Sequence, residues 1–209
     1  MRVYHFIDKE FGLKNIRNRR LKVSDIMTVN DPFEFFSVIT ADIIDRSALT
    51  KTKEQLASKF GFLCFSESWK SPVQWAHYAE RHTGLCLGFD IPDGLLHKID
   101  YVGERFHLPQ IPKEDDMKRL LETKYSHWSY EQEHRLWDEL KNKEGAHYFR
   151  YFDKDLLLKQ VIVGHKSDIT RDELNTALGS LTSECETFKA RPAYNTFDMV
   201  KQKDDRFWK

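Results

Sequence analysis

At 209 residues, with 33 Lys and Arg against 33 Asp and Glu, the chain has a formal net charge of zero. That balance excludes a global electrostatic footprint for nucleic acid or an anionic membrane. A content of 40% hydrophobic and 13% aromatic residues excludes a disordered chain, and the length suits one domain over 1–209 that buries roughly 70% of its unfolded surface.

Three cysteines are present and none forms a C-x-x-C pair. Cys64 and Cys86 lie in the apolar runs GFLCFS and GLCLGF, where a thiol acts as a small hydrophobe. Neither a disulfide-linked partner nor a zinc cluster is expected. No stretch approaches 18 apolar residues, and MRVYHFIDKE lacks a long apolar segment, so the reading is a cytoplasmic protein with no membrane span. The basic run Lys14, Arg17, Arg19, Arg20, Lys22 reads first as a solvated helix end and second as a phosphate patch.

In chain order, RVYHFI (2–7) reads as a strand, 10–19 as a helix and Leu21–Val23 as a second short strand. Asn30-Asp31-Pro32 is a turn signal, because Asp favours the first turn position and Pro presets the next. Phe33, Phe35 and Phe36 then re-enter a core. Residues 50–60 read as a helix stopped by Gly61, followed by the strand GFLCFS. Ser71 caps a helix with Pro72 at its first position. Gly84 breaks that helix, and LCLGFD is a buried strand. Residues 113–124 read as a charged surface helix and Tyr130–Trp137 as an alternating strand. KQVIVG (159–164) is a third apolar strand. Ser167 or Asp168 opens a helix to Leu178, and strand-like pieces fill 186–202.

Strands and helices mix without a βαβ rhythm. The expectation is therefore a single α+β domain with mixed or antiparallel strands in two small packed sheets around LCLGF, GFLCF and KQVIVG, with peripheral helices. Neither a G-x-G-x-x-G motif after a strand nor a P-loop is present.

Three groups of residues could carry chemistry. His5 in the first strand is either a core histidine or a site residue. On the Ser71–Gly84 helix, Trp75 and Tyr78 are three apart and share a face with Arg81; the stripe is ordinary core or a binding face, since buried Trp and Tyr need polar partners. His77 and His82 are five apart, which does not suit a shared metal, and no metal site is expected. In Tyr130–Arg135, strand alternation puts Glu131, Glu133 and Arg135 on one face. That face is a salt-bridge ladder or an acid–base site in which paired carboxylates split their roles.

Tyr4-His5, Asn30-Asp31-Pro32-Phe33-Glu34, Leu63-Cys64-Phe65-Ser66-Glu67, Trp75-Ala76-His77-Tyr78-Ala79, Gly84–Phe89, Tyr130-Glu131-x-Glu133-x-Arg135 and Val161–Gly164 occur in that order. Together they resemble a widespread bacterial family of unknown function with members linked to abortive infection, a defence against phage. The resemblance covers 4–164 and leaves 165–209 as C-terminal strands and helix. The order His, Tyr, Glu is also similar to the signature of diphtheria-toxin-like ADP-ribosyltransferases. That similarity implies a transferase-like fold and an NAD-dependent effector whose macromolecular acceptor, protein or nucleic acid, is unknown. His5 would bind the adenosine-side ribose and Tyr78 would stack on nicotinamide, with Trp75 also on the cofactor. Arg135 would meet pyrophosphate. Glu131 or Glu133 would stabilise the oxocarbenium-like transition state. The alternative is a non-catalytic nucleotide- or peptide-sensing module with a groove of Trp75, Tyr78, Trp128 and Trp137. A nuclease built on Asp31, Glu34, Glu67 and Glu131 ranks last.

Overall fold

The computed structural model describes residues 1–40, 43–109 and 111–208. In chain order the first elements are β1 (Arg2–Ile7), α1 (Lys9–Arg17), β2 (Arg20–Lys22), α2 (Ile43–Ala57) and β3 (Phe60–Ser66). Next come α3 (Pro72–Tyr78), β4 (Leu85–Asp90), β5 (Leu96–Lys98), β6 (Asp100–Val102), α4 (Glu114–Leu121) and β7 (Thr123–Tyr125). The rest are β8 (Glu133–Glu139), β9 (Lys143–Glu144), β10 (His147–Tyr151), β11 (Leu157–Val163), α5 (Arg171–Leu178), β12 (Glu186–Pro192) and β13 (Met199–Lys201). The chain forms two compact units, the first from Met1–Leu21, Phe65–Asp93 and Arg150–Lys209, the second from Lys22–Cys64 and Gly94–Phe149.

The first unit is built on a mixed sheet in the order β13-β12-β11-β4-β1. β4 sits between antiparallel neighbours, with Leu87 opposite His5 on β1 and Val161 on β11. β11 and β12 are parallel, joined through α5. Residues 85–89 of β4 are buried on both faces, which explains their unbroken apolar run. One face packs Trp75, Cys86, Ile162, Phe188 and Met199 into a core cluster. α1 packs against α5, and Arg19 caps the end of α5 by donating to the Ala177 and Leu178 carbonyls. Two of the three strands around which two packed sheets were expected, LCLGF and KQVIVG, are thus hydrogen-bonded neighbours in one sheet. Both are apolar throughout because both are interior strands.

In the second unit β8 lies between β3 and β5, and β6 pairs with β7 in parallel. Phe35, Phe62 and Trp137 pack their rings 5.2–6.2 Å apart, joined by Ile26 and Leu56. Among the described residues no helix is long and apolar enough to cross a membrane.

Several local expectations change. The helix before β3 is Ile43–Ala57, not 50–60, and Phe60 already belongs to the strand. Gly61 is therefore not a helix stop. A Cβ there would lie 2.5 Å from Val23 Cγ1 and 2.6 Å from the Ser24 carbonyl, so glycine permits the Ser24–Phe62 bridge. α5 starts at Arg171 because Thr170, not Ser167 or Asp168, caps it in a reciprocal box with Glu173. Phe33 is 47% exposed, while Phe35 alone of the nearby phenylalanines is fully in the core.

Candidate functional site

Of the residues singled out in the sequence, His5, Trp75 and Tyr78 belong to the first unit and Glu131, Glu133 and Arg135 to the second. Trp75 is a core residue: it is fully buried, donates from Nε1 to the Trp69 carbonyl at 2.7 Å and meets Phe6 edge-on at 5.3 Å. His5 is half-buried with its ring 5.8 Å from Phe65. α3 ends at Tyr78, and Glu80–His82 form a 3-10 turn in which Arg81 has φ 54. The shared helical face of Tyr78 and Arg81 therefore does not exist. Tyr78 stays half-buried, edge-on to His77 at 6.0 Å.

In the second unit the YEQEHR stretch forms a buried charge network. The expected strand over 130–137 is shorter. Ser126–Glu131 is a 3-10 turn, Gln132 takes a left-handed conformation at φ 46, and β8 starts at Glu133. Glu131, Glu133 and Arg135 are nevertheless all buried. Arg135 Nε donates to Glu133 Oε1 at 2.7 Å, and Nη2 to Glu133 Oε2 at 3.1 Å. Nη1 and Nη2 grip Glu34 Oε1 and Oε2 at 2.8 and 2.9 Å. A fifth bond runs from Nη1 to the Leu121 carbonyl at the end of α4, at 3.2 Å. A guanidinium has five N–H donors, so none is left for a pyrophosphate. The Phe62 ring lies 4.6 Å from the same guanidinium.

Lys124 on β7 extends the network. Its Nζ lies 2.5 Å from Glu131 Oε2 and 3.2 Å from Glu133 Oε2, and 4.9 Å from the Trp128 ring. Burial alone would raise the Glu133 carboxyl, but Arg135 and then Lys124 outweigh it and hold it at about 2. Burial opposes charge on Lys124 and Arg135 as well, yet the glutamates raise both above their ordinary values. Burial also pushes the Tyr101 hydroxyl up; its oxygen accepts from the Glu133 N–H at 2.8 Å.

The turn at Asp31-Pro32 supplies Glu34. Asp31 Oδ1 accepts from the Phe33 N–H and its carbonyl from the Glu34 N–H. This aims successive side chains apart, Glu34 into the network and Phe33 outward. The sequence offers Glu34 only within the Asn30–Glu34 motif and the last-ranked nuclease set, and Lys124 as the end of a surface helix, although Lys124 is 5% exposed. The one available signal for Lys124 was the aromatic-rich stretch that follows it, YSHWSY.

Phe33 lines a half-open cleft of about 190 Å³ with Ser37, Val102, Gly103, Glu104, Arg105 and Tyr125. The Arg105 guanidinium lies over the Phe33 ring at 4.8 Å. Tyr125 stacks on His127 at 4.5 Å and 20°. Ser37 Oγ donates to the Thr123 carbonyl at 3.1 Å. Cleft and charge network are thus different places fed by the same two elements: Phe33 and Glu34 from the turn, Tyr125 and Lys124 from β7. The network is the more conspicuous chemically, and the cleft is the more open of the two.

Among the described residues no three His, Cys, Asp or Glu side chains converge as a metal ion would need. Comparisons with protein-family models, curated proteins and solved structures give no match.

Proposed function

We propose that this protein is a nucleotide-binding module whose second unit takes one planar ring in the Phe33–Tyr125 cleft. The observation that carries the reading is the make-up of that cleft: two partly exposed aromatic side chains, a stacked guanidinium and one carboxylate around an open space. A base stacks on aromatic faces. A stacked Arg keeps in-plane donors for phosphate, and Glu104 can accept from an exocyclic amine. At about 190 Å³ the cleft is smaller than the roughly 300–1,000 Å³ of sites for drug-sized ligands. It therefore suits one ring system, and a dinucleotide such as NAD would seat only its adenine or nicotinamide there. In this reading the buried charges are the frame that fixes the turn and β7.

The test is a thermal-shift and calorimetric series with AMP, GMP, CMP, UMP and NAD. Binding to the native state alone raises stability as ligand concentration rises. Tyr125→Ala and Arg105→Gln should abolish the shift without lowering the ligand-free midpoint. A flat response to all five ligands removes the reading.

A second reading, ADP-ribosyl transfer from NAD by a phage-defence effector, is favoured by one observation: the network separates the two glutamates. Glu133 is gripped by both Arg135 and Lys124, which makes it a positioning residue. Glu131, at the turn into β8 and held by Lys124, is then the candidate for the reacting carboxylate. Labelled NAD with cell extract tests this, and label transfer that survives Glu131→Gln sinks it.

A further inference from the structure

The β12–β13 hairpin of the first unit carries two large aromatic side chains that the fold leaves in solvent. Tyr194 is 90% and Phe197 98% exposed. The tip that bears them is ordered by its own bonds. The Ala193 N–H donates to the Asp198 carbonyl at 2.9 Å, and Thr196 Oγ1 to Asp198 Oδ2 at 3.0 Å. The rings are therefore presented by a built turn. Core packing does not explain them, because the inward residues of the same strands are Phe188, Ala190 and Met199.

The charged residues next to the tip are Arg191, near the tip-side end of β12, and Asp198, in the turn itself. Arg191 has no carboxylate partner among the described residues, and its guanidinium lies 4.7 Å over the Tyr194 ring. Lys70 adjoins the hairpin base, where its carbonyl accepts from the Met199 N–H at 2.8 Å.

From this we infer that the β12–β13 hairpin docks single-stranded nucleic acid, with Tyr194 and Phe197 as stacking faces and Arg191 as the phosphate contact. Unpaired bases on a phosphate backbone are the partner chemistry that asks for aromatic faces interleaved with cations. Two rings, an amide (Asn195) and a guanidinium that lies over one of the rings match a short run of unpaired nucleotides. An anionic membrane would reward a larger apolar face than these two rings provide. This surface is separate from the cleft in the second unit and does not depend on it.

The experiment is fluorescence anisotropy of the full chain with labelled oligouridylate, oligothymidylate, a duplex of the same length and phosphatidylserine vesicles. Single strands should bind, with affinity falling steeply between about 50 and 200 mM salt. The uridylate and thymidylate arms tell RNA from DNA. Tyr194→Ala with Phe197→Ala should weaken binding at least about tenfold, since each stack is worth several-fold or more. Arg191→Gln should weaken it and lower the salt slope by about one. All three substitutions sit at or beside solvent, so unchanged melting separates lost binding from lost folding. Absence of single-strand binding, affinity indifferent to the ring substitutions, or ring-dependent binding to vesicles alone would each overturn the inference.

Discussion

Replacing Arg135 with Met takes from Glu34 the guanidinium that grips both its oxygens and leaves Glu133 with Lys124 as its cation, in the core of the second unit. Arg135 is 1% exposed and makes all five of its possible bonds, four of them to these two carboxylates. A buried ion pair is weak evidence for net stability, because desolvation offsets the Coulomb gain; removing one partner is different and typically costs about 3–5 kcal/mol. That is a large part of the roughly 5–15 kcal/mol that holds a domain folded. Glu34→Gln should cost less, about 1–3 kcal/mol, since Arg135 keeps Glu133. The double variant should fall short of the sum by about 0.5–3 kcal/mol, because the second change removes a charge that the first had stranded. Urea unfolding followed by tryptophan fluorescence gives all three values. Loss of under about 1 kcal/mol in Arg135→Met, or strict additivity, would refute the claim that these groups form one interdependent network.

Acid should dismantle the same network. Glu133 titrates near 2 instead of 4.5, so its contribution is complete above about pH 4.5 and lost as the pH falls toward 2. At 1.36 kcal/mol per pH unit this amounts to about 3 kcal/mol. The stability gap between the parent and Glu133→Gln should therefore narrow over that window, and a constant gap would contradict the assignment. Gly164→Ala should cost about 1–3 kcal/mol or more by overpacking. Its Cβ would lie 2.2 Å from the His82 carbonyl and 2.8 Å from that of Gly84, and these are backbone atoms that cannot rotate away. An unchanged melting temperature would disprove this. Burial pushes the Cys86 thiol up, so Ellman's reagent near pH 8 should label it only after unfolding. Rapid labelling of Cys86 in the native protein would count against that burial.

Local signals placed most elements, because they act over a few residues. Ser71 and Pro72 set the start of α3, and the apolar runs marked β3, β4 and β11. Glu114–Leu121 was legible as a charged helix. One misplacement arose where a nonlocal partner decides: Gly61 reads as a helix stop, but the Ser24 carbonyl packs against it. The other is local: Thr170, with Glu173 three residues on, completes a capping box that neither Ser167 nor Asp168 can make.

For the site, the sequence by itself determined that Glu133 and Arg135 share a strand face, whereas Glu131 joins the network from the 3-10 turn before β8, which alternation does not foresee. It also determined that Asn30-Asp31-Pro32 turns the chain. Tertiary structure alone decided that the turn delivers Glu34 to Arg135, 101 residues away, and that Lys124 is buried between two glutamates. It also turned Trp75 into core and left Tyr194 and Phe197 in solvent. A charge is cheap in water and costly inside, and a sequence states only that the charge exists. Which charges are buried, and against which partners, follows from packing between segments that no local pattern connects.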